Sequence, residues 1–174
     1  MYLVKTPSLF RFIYPSLVWK MPRNEKTIYL TFDDGPIPDV TDFVLKTLDD
    51  FKIKATFFCI GDNIQKHPRI YQAIKDANHA IGNHTFNHLR GWDTPTDAYI
   101  ENFNKCQELT ATHLFRPPYG RIKFAQIKAI KEAMGSDLKI IMWDILTGDY
   151  DSATSPEDCL ENSIKHTQNG SIVV

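Results

Sequence analysis

Apolar positions along the chain change period repeatedly, and each change marks a new element. At 27–32 (TIYLTF) β-branched and aromatic residues crowd into a short run that reads as a strand. Val40, Phe43, Val44, Leu48 and Phe51 then recur at helical spacing. The run 55–60 (ATFFCI) is a second strand, closed by Gly61. Pro68 opens a helix with Ile70, Ile74 and Ala77 on one face. A short third strand follows at 80–84. Thr94 and Pro95 read as an N-cap and first helical residue, with Tyr99, Phe103 and Cys106 in step behind them. The segment 113–116 is a weak fourth strand, 122–134 a helix stopped by Gly135, and 138–143 a strong fifth strand. Ser155 and Pro156 repeat the cap-plus-proline start of a helix running to about Gly170, and 171–174 begins a sixth strand.

Regular alternation of helices with near-continuous apolar strands argues for an α/β fold, a parallel sheet covered by helices. A closed barrel and an open doubly wound sheet both satisfy that pattern. No G-x-G-x-x-G follows the first strand, which counts against a dinucleotide-binding sheet. The 174 residues contain no linker or low-complexity break, and 43% apolar content is enough for one core. Lys and Arg number 20 against 21 Asp and Glu, so no basic excess points to a nucleic acid partner. Nothing approaches 18 uninterrupted apolar residues, so no membrane span is expected. Lys5 and Arg11 precede an apolar run at 12–19, but Pro15 interrupts it and no small-x-small cleavage site follows. Residues 1–26 are therefore read as a segment packed on a domain at 27–174, without an export signal, which places the protein in the cytoplasm. The three cysteines are scattered on apolar stretches without a C-x-x-C pair, and read as buried free thiols.

In parallel α/β folds, chemistry gathers at the C-terminal ends of strands. The first strand runs into Asp33 and Asp34, the third into His84 and His88, the fourth into Arg116, and the fifth into Asp144 and then Asp149. Adjacent carboxylates repel unless a cation or shared proton relieves them, though an Asp-Gly turn with solvated carboxylates is the plainer reading. Spacing of i, i+4 puts His84 and His88 on one side of a helical turn, within reach of one ion. Two histidines with one carboxylate form a catalytic zinc set that leaves positions open, and the Asp pair offers both that ligand and a spare base. Arg116, before a Pro-Pro turn, could hold a carboxylate in a bidentate pair. Trp92, Tyr119 and Trp143 could floor a sugar site or belong to the core. His67 reads as a cap or turn residue, and His79, His113 and His166 have no partner by spacing.

These motifs, in this order, resemble the polysaccharide deacetylases, the NodB-homology domain of carbohydrate esterase family four. TFDDGP at 31–36, HTFNH at 84–88 and RPPYG at 116–120 match the family's first three motifs. The resemblance implies a distorted (β/α) barrel, with Asp33 as general base and Asp34, His84 and His88 as metal ligands. It further implies that Arg116 orients Asp33 and that the Tyr119 N–H helps form an oxyanion hole. The fourth motif, commonly Asp-x-x-Asp-Trp, is reduced to Asp149 followed by Tyr150. The fifth motif, an apolar strand running into a general-acid histidine, is represented only by the strand-like 171–174. The barrel is thus expected to lack its last strand or strands in this chain. The implied activity is metal-dependent removal of N-acetyl groups from an aminosugar polymer of the chitin or peptidoglycan kind. Zinc is the expected cofactor, cobalt or nickel being possible, and an acetylated glycan the expected partner. An O-acetyl esterase and a non-catalytic sugar-binding module are the competing readings.

Overall fold

The structure, a computed structural model, describes residues 3–174. In chain order its elements are α1 (Ser8–Ile13), β1 (Tyr29–Asp33), α2 (Val40–Asp50), β2 (Thr56–Cys59), α3 (Gly61–Lys66), α4 (Pro68–Asp76), β3 (Ala80–Asn83), α5 (Thr96–Thr110), β4 (Leu114–Phe115), α6 (Phe124–Met134), β5 (Lys139–Ile140), α7 (Pro156–His166) and β6 (Ile172–Val173). Short 3₁₀ turns lie at Gly91–Asp93 and Pro118–Gly120. The chain divides into two units, one of residues 32–140 and one of the flanking residues up to 31 and from 141 on.

In the 32–140 unit the strands follow the order β5-β4-β3-β2, and the β2–β3, β3–β4 and β4–β5 ladders are parallel. β2 and β3 pair from Thr56↔Ala80 to Cys59↔Asn83, with β4 joining through Asn83↔Phe115. Such strands are covered on both faces, hence the near-continuous apolar run at 55–60. Phe58, Cys59, Phe103, Phe115 and Ile140 are wholly buried, and Phe103 meets Phe115 edge-on at 4.9 Å. The α5 stripe read from the sequence, Tyr99, Phe103 and Cys106, is buried throughout. Burial pushes the Cys106 thiol up to about 12 and Cys59 higher still, so neither is a nucleophile.

Several expectations fail for local reasons. α3 was not foreseen, because six residues with a single buried aliphatic, Ile64, carry no readable period. α5 starts one residue late: Pro95 is its N-cap, while the Thr94 hydroxyl donates to the Arg90 carbonyl at 2.7 Å. On α2 only Thr41 and Leu48 are buried, and Val40, Phe43 and Phe51 face outward. β5 is two residues long, since the chain leaves the ladder at Ile141, which bridges to Val18.

In the flanking unit, Tyr29 and Leu30 pair in parallel with Ile172 and Val173, and the Thr31 hydroxyl donates to the Val173 carbonyl at 2.7 Å. Lys5 bridges to Ile145 and Lys20 to Ser171, with Leu17 and Trp19 buried between. Arg11 on α1 contacts the wholly buried Asp144, which also accepts from the Ser171 hydroxyl at 2.8 Å. The Asp at the end of the fifth strand thus has a structural task. Ser155 caps α7 as its sequence suggests, accepting from Asp158 N–H, but the helix ends at His166, short of Gly170. Cys159 on this helix is half-buried, against the expectation of a buried thiol. Among the described residues no helix is long and apolar enough to cross a membrane.

Candidate metal and catalytic site

β1 delivers Asp33 and Asp34 at its end. Asp34 takes a left-handed conformation (φ 70°), which aspartate tolerates better than most residues, and its carbonyl accepts from the Asn63 side chain at 2.7 Å. The two histidines follow β3, but not on a helical turn. Thr85 (φ 62°) and His88 (φ 56°) are left-handed, so the segment doubles back as a loop. Two asparagines, Asn83 buried and Asn102 half-buried, hold it. Asn83 Oδ1 accepts the Thr85 N–H at 2.8 Å, and Asn102 Oδ1 accepts those of Phe86 and Asn87 at 2.8 and 2.9 Å. Asn63, Asn83 and Asn102 went unread in the sequence. Only the polar Asn83, closing an apolar strand beside His84, carried any signal there.

β4 delivers Arg116, whose side chain is wholly buried. Its Nη1 donates to Asp33 Oδ1 at 2.7 Å, and its guanidinium lies 4.2 Å over the Phe58 ring. Burial lowers the guanidinium pKa and Asp33 opposes that shift, so the carboxylate is the counter-charge that keeps a buried cation tolerable. The Arg116 carbonyl lies 2.7 Å from His84 Nδ1. A carbonyl can only accept, so Nδ1 carries the proton and the lone pair of Nε2 is left for the site.

That lone pair points toward Asp34. Asp34 Oδ1 lies 3.4 Å from His84 Nε2 and 3.0 Å from His88 Nε2, and no hydrogen bond of sound geometry satisfies this buried oxygen. Three electron-rich atoms within 4.8 Å of one another demand a cation. A tetrahedral ion with bonds of about 2.0–2.1 Å sets its ligands roughly 3.3 Å apart, which suits both distances. Burial pushes the Asp34 carboxyl up, but the two histidines outweigh it and hold it well below the usual carboxylate range. Asp33 Oδ2 lies at the rim, 4.0 Å from His84 Nε2.

The Pro118–Gly120 turn brings the Tyr119 ring to 4.6 Å from that of His88. Tyr119 has φ 59°, and no described residue accepts its N–H. Trp92 and Tyr119 are about half exposed, so neither is core. Asp149 belongs to the other unit, where it is exposed and accepts from the Thr147 hydroxyl at 3.2 Å. His79 is buried and its Nδ1 accepts the Ala55 N–H at 3.2 Å, while His67 is the N-cap residue of α4.

The sequence matches the family described as polysaccharide deacetylase over residues 20–138. The chain belongs to the polysaccharide deacetylase family. A peptidoglycan-N-acetylglucosamine deacetylase of Bacillus cereus is 36% identical over 167 residues, an overlap of 91% of this chain and 76% of that protein. Chitin deacetylase 2 of Saccharomyces cerevisiae is 36% identical over 151 residues, 80% of this chain and 46% of its own. A peptidoglycan N-acetylglucosamine deacetylase solved with 4-naphthalen-1-yl-N-oxidanyl-benzamide superposes with a TM-score of 0.87 at 31% identity, covering 97% of this chain and 79% of that one. The alternation of parallel strands and helices in this deacetylase chain is of the (β/α) barrel type, not the doubly wound type.

Proposed function

We propose that the protein is a metal-dependent hydrolase that removes N-acetyl groups from an aminosugar polymer. One observation carries the reading: Asp34, His84 and His88 converge with an unsatisfied carboxylate oxygen at their centre, beside an Asp33 anchored by a buried arginine. The named activities of the peptidoglycan and chitin deacetylase relatives support the choice of substrate.

Asp34, His84 and His88 would hold the ion. Two nitrogens and one oxygen suit zinc best, with cobalt and nickel compatible. When bound, it supplies Lewis acidity that polarises the acetamide carbonyl and acidifies water. Asp33 acts as general base. Its Oδ1 is tied to Arg116, so Oδ2 is the atom that takes the proton from the attacking water and returns it to the amide nitrogen as the C–N bond breaks, releasing acetate and the free amine. The Tyr119 N–H donates to the carbonyl oxygen as negative charge develops there, a contribution of about 2.7–4 kcal/mol for one such donor. His84 keeps its orientation through the Arg116 carbonyl, so Arg116 positions both a ligand and the base. No step requires Asp149. Acetate release from N-acetylglucosamine oligomers, with and without added zinc, tests the reading; zinc-loaded protein that releases none contradicts it.

A further inference from the structure

His84 and His88 are held in different ways. The His84 Nδ1 donates to the Arg116 carbonyl at 2.7 Å, so β4 fixes that ring directly. His88 has no such brace. Its Nε2 faces Asp34, and no described residue bonds to its Nδ1. The ring only rests between those of His84 and Tyr119, at 5.0 and 4.6 Å. A ligating histidine ordinarily passes its second nitrogen to a partner that fixes the ring. Here the backbone has to do that work, and at His88 it is left-handed (φ 56°), a conformation that non-glycine residues seldom keep unless neighbours impose it.

The neighbour stands on α5. Asn102 Oδ1 accepts the N–H of Phe86 at 2.8 Å and that of Asn87 at 2.9 Å, while its Nδ2 donates to Asn87 Oδ1 at 2.8 Å. A single side-chain amide therefore grips the residue just before His88 through both backbone and side chain. Two N–H donors demand the oxygen, so the partners settle which way the amide points. Asn87 itself is exposed, so packing does not hold it. α5 is a firm base for the clamp, because Tyr99, Phe103 and Cys106 on it are wholly buried. The other end of the loop is tied to the same helix, since Asn83 Nδ2 donates to the Phe103 carbonyl at 3.1 Å.

We propose that Asn102 is a positioning residue for the metal site, holding His88 against the ion through Asn87. The inference rests on the metal-dependent reading of the site. It assigns to α5, which supplies no ligand, a share of the affinity for the ion.

The test is zinc affinity by chelator competition, together with amide exchange in the metal-free protein. Asn102→Ala should weaken zinc binding about 10- to 100-fold, the usual cost of removing a group that orients a ligand. In metal-free protein it should speed exchange of the Asn87 N–H by about tenfold. Asn102→Asp keeps an acceptor for both N–H groups and should recover most of the lost affinity. Asn87→Ala, at an exposed position, loses only the bond between the two side chains and should weaken zinc about threefold. Ile74→Val, which thins the core beneath α4 without touching the loop, should lower the thermal midpoint yet leave zinc affinity within about twofold. Affinity unchanged in Asn102→Ala, or as weak in Asn102→Asp as in the alanine variant, overturns the proposal. Where Asn102→Ala does not fold, Asn87→Ala decides, and wild-type affinity there overturns it. Wild type that binds no zinc contradicts the metal-dependent reading instead; the Asn87 exchange rate still decides the clamp, which equal rates in wild type and Asn102→Ala overturn.

Discussion

Asp33 and Asp34 are identical neighbours whose partners give them different tasks. Asp33 faces a buried guanidinium and Asp34 two imidazoles. Asp33→Asn should keep zinc, since no ligand is lost, but lower turnover by about 10²–10⁴. It should also cost about 3 kcal/mol of stability, because the buried Arg116 would lose the charge of Asp33. Asp34→Asn should instead weaken zinc binding. Metal content, acetate release and thermal midpoint on both variants check the division, and an interchanged pattern would swap the two roles. The motifs were legible because their residue types are expensive to place together without a use. The route was not. His84 and His88 meet through left-handed residues in a loop pinned by Asn83 and Asn102, and i, i+4 spacing alone cannot distinguish that from a helical turn.

α1 is a helix of six residues with no buried side chain of its own, too short to persist on intrinsic propensity. Its anchor is Arg11 on the buried Asp144, shared with Ser171 at the foot of β6. Arg11→Met should leave Asp144 as an uncompensated buried carboxylate and destabilise the protein by about 3 kcal/mol, measured by denaturant unfolding. Adding Asp144→Leu should recover part of that loss; a single variant as stable as wild type would show that the contact carries no energy. At this scale periodicity found the long elements, α5 with its buried stripe above all. It misjudged elements decided by distant partners. β5 shortens because Ile141 bridges to Val18, and the apolar side of α2 lies largely in solvent.

For the whole molecule, His79 contributes one part of the stability that varies with pH. Burial first, then Lys54, lowers its pKa below the ordinary 6.5, in keeping with an Nδ1 that accepts the Ala55 N–H. The unfolded chain therefore takes up this proton before the native state does. The contribution of His79 is whole above about pH 6.5 and is lost as pH falls from there toward the native value. Chelator-treated protein should show a thermal midpoint that declines below pH 6.5, and His79→Asn, which keeps an acceptor without a titrating ring, should flatten the decline. An unchanged slope would assign the acid sensitivity elsewhere. The central claim is that Asp34, His84 and His88 hold the ion with which Asp33 hydrolyses an acetamide. Acetate release from an N-acetylglucosamine oligomer, measured with zinc content for wild type and His88→Ala, addresses it most directly. Wild type should hold about one zinc per chain and release acetate, and His88→Ala should lose both, because two remaining ligands make a weak site. Acetate release that persists in zinc-free His88→Ala would contradict the account.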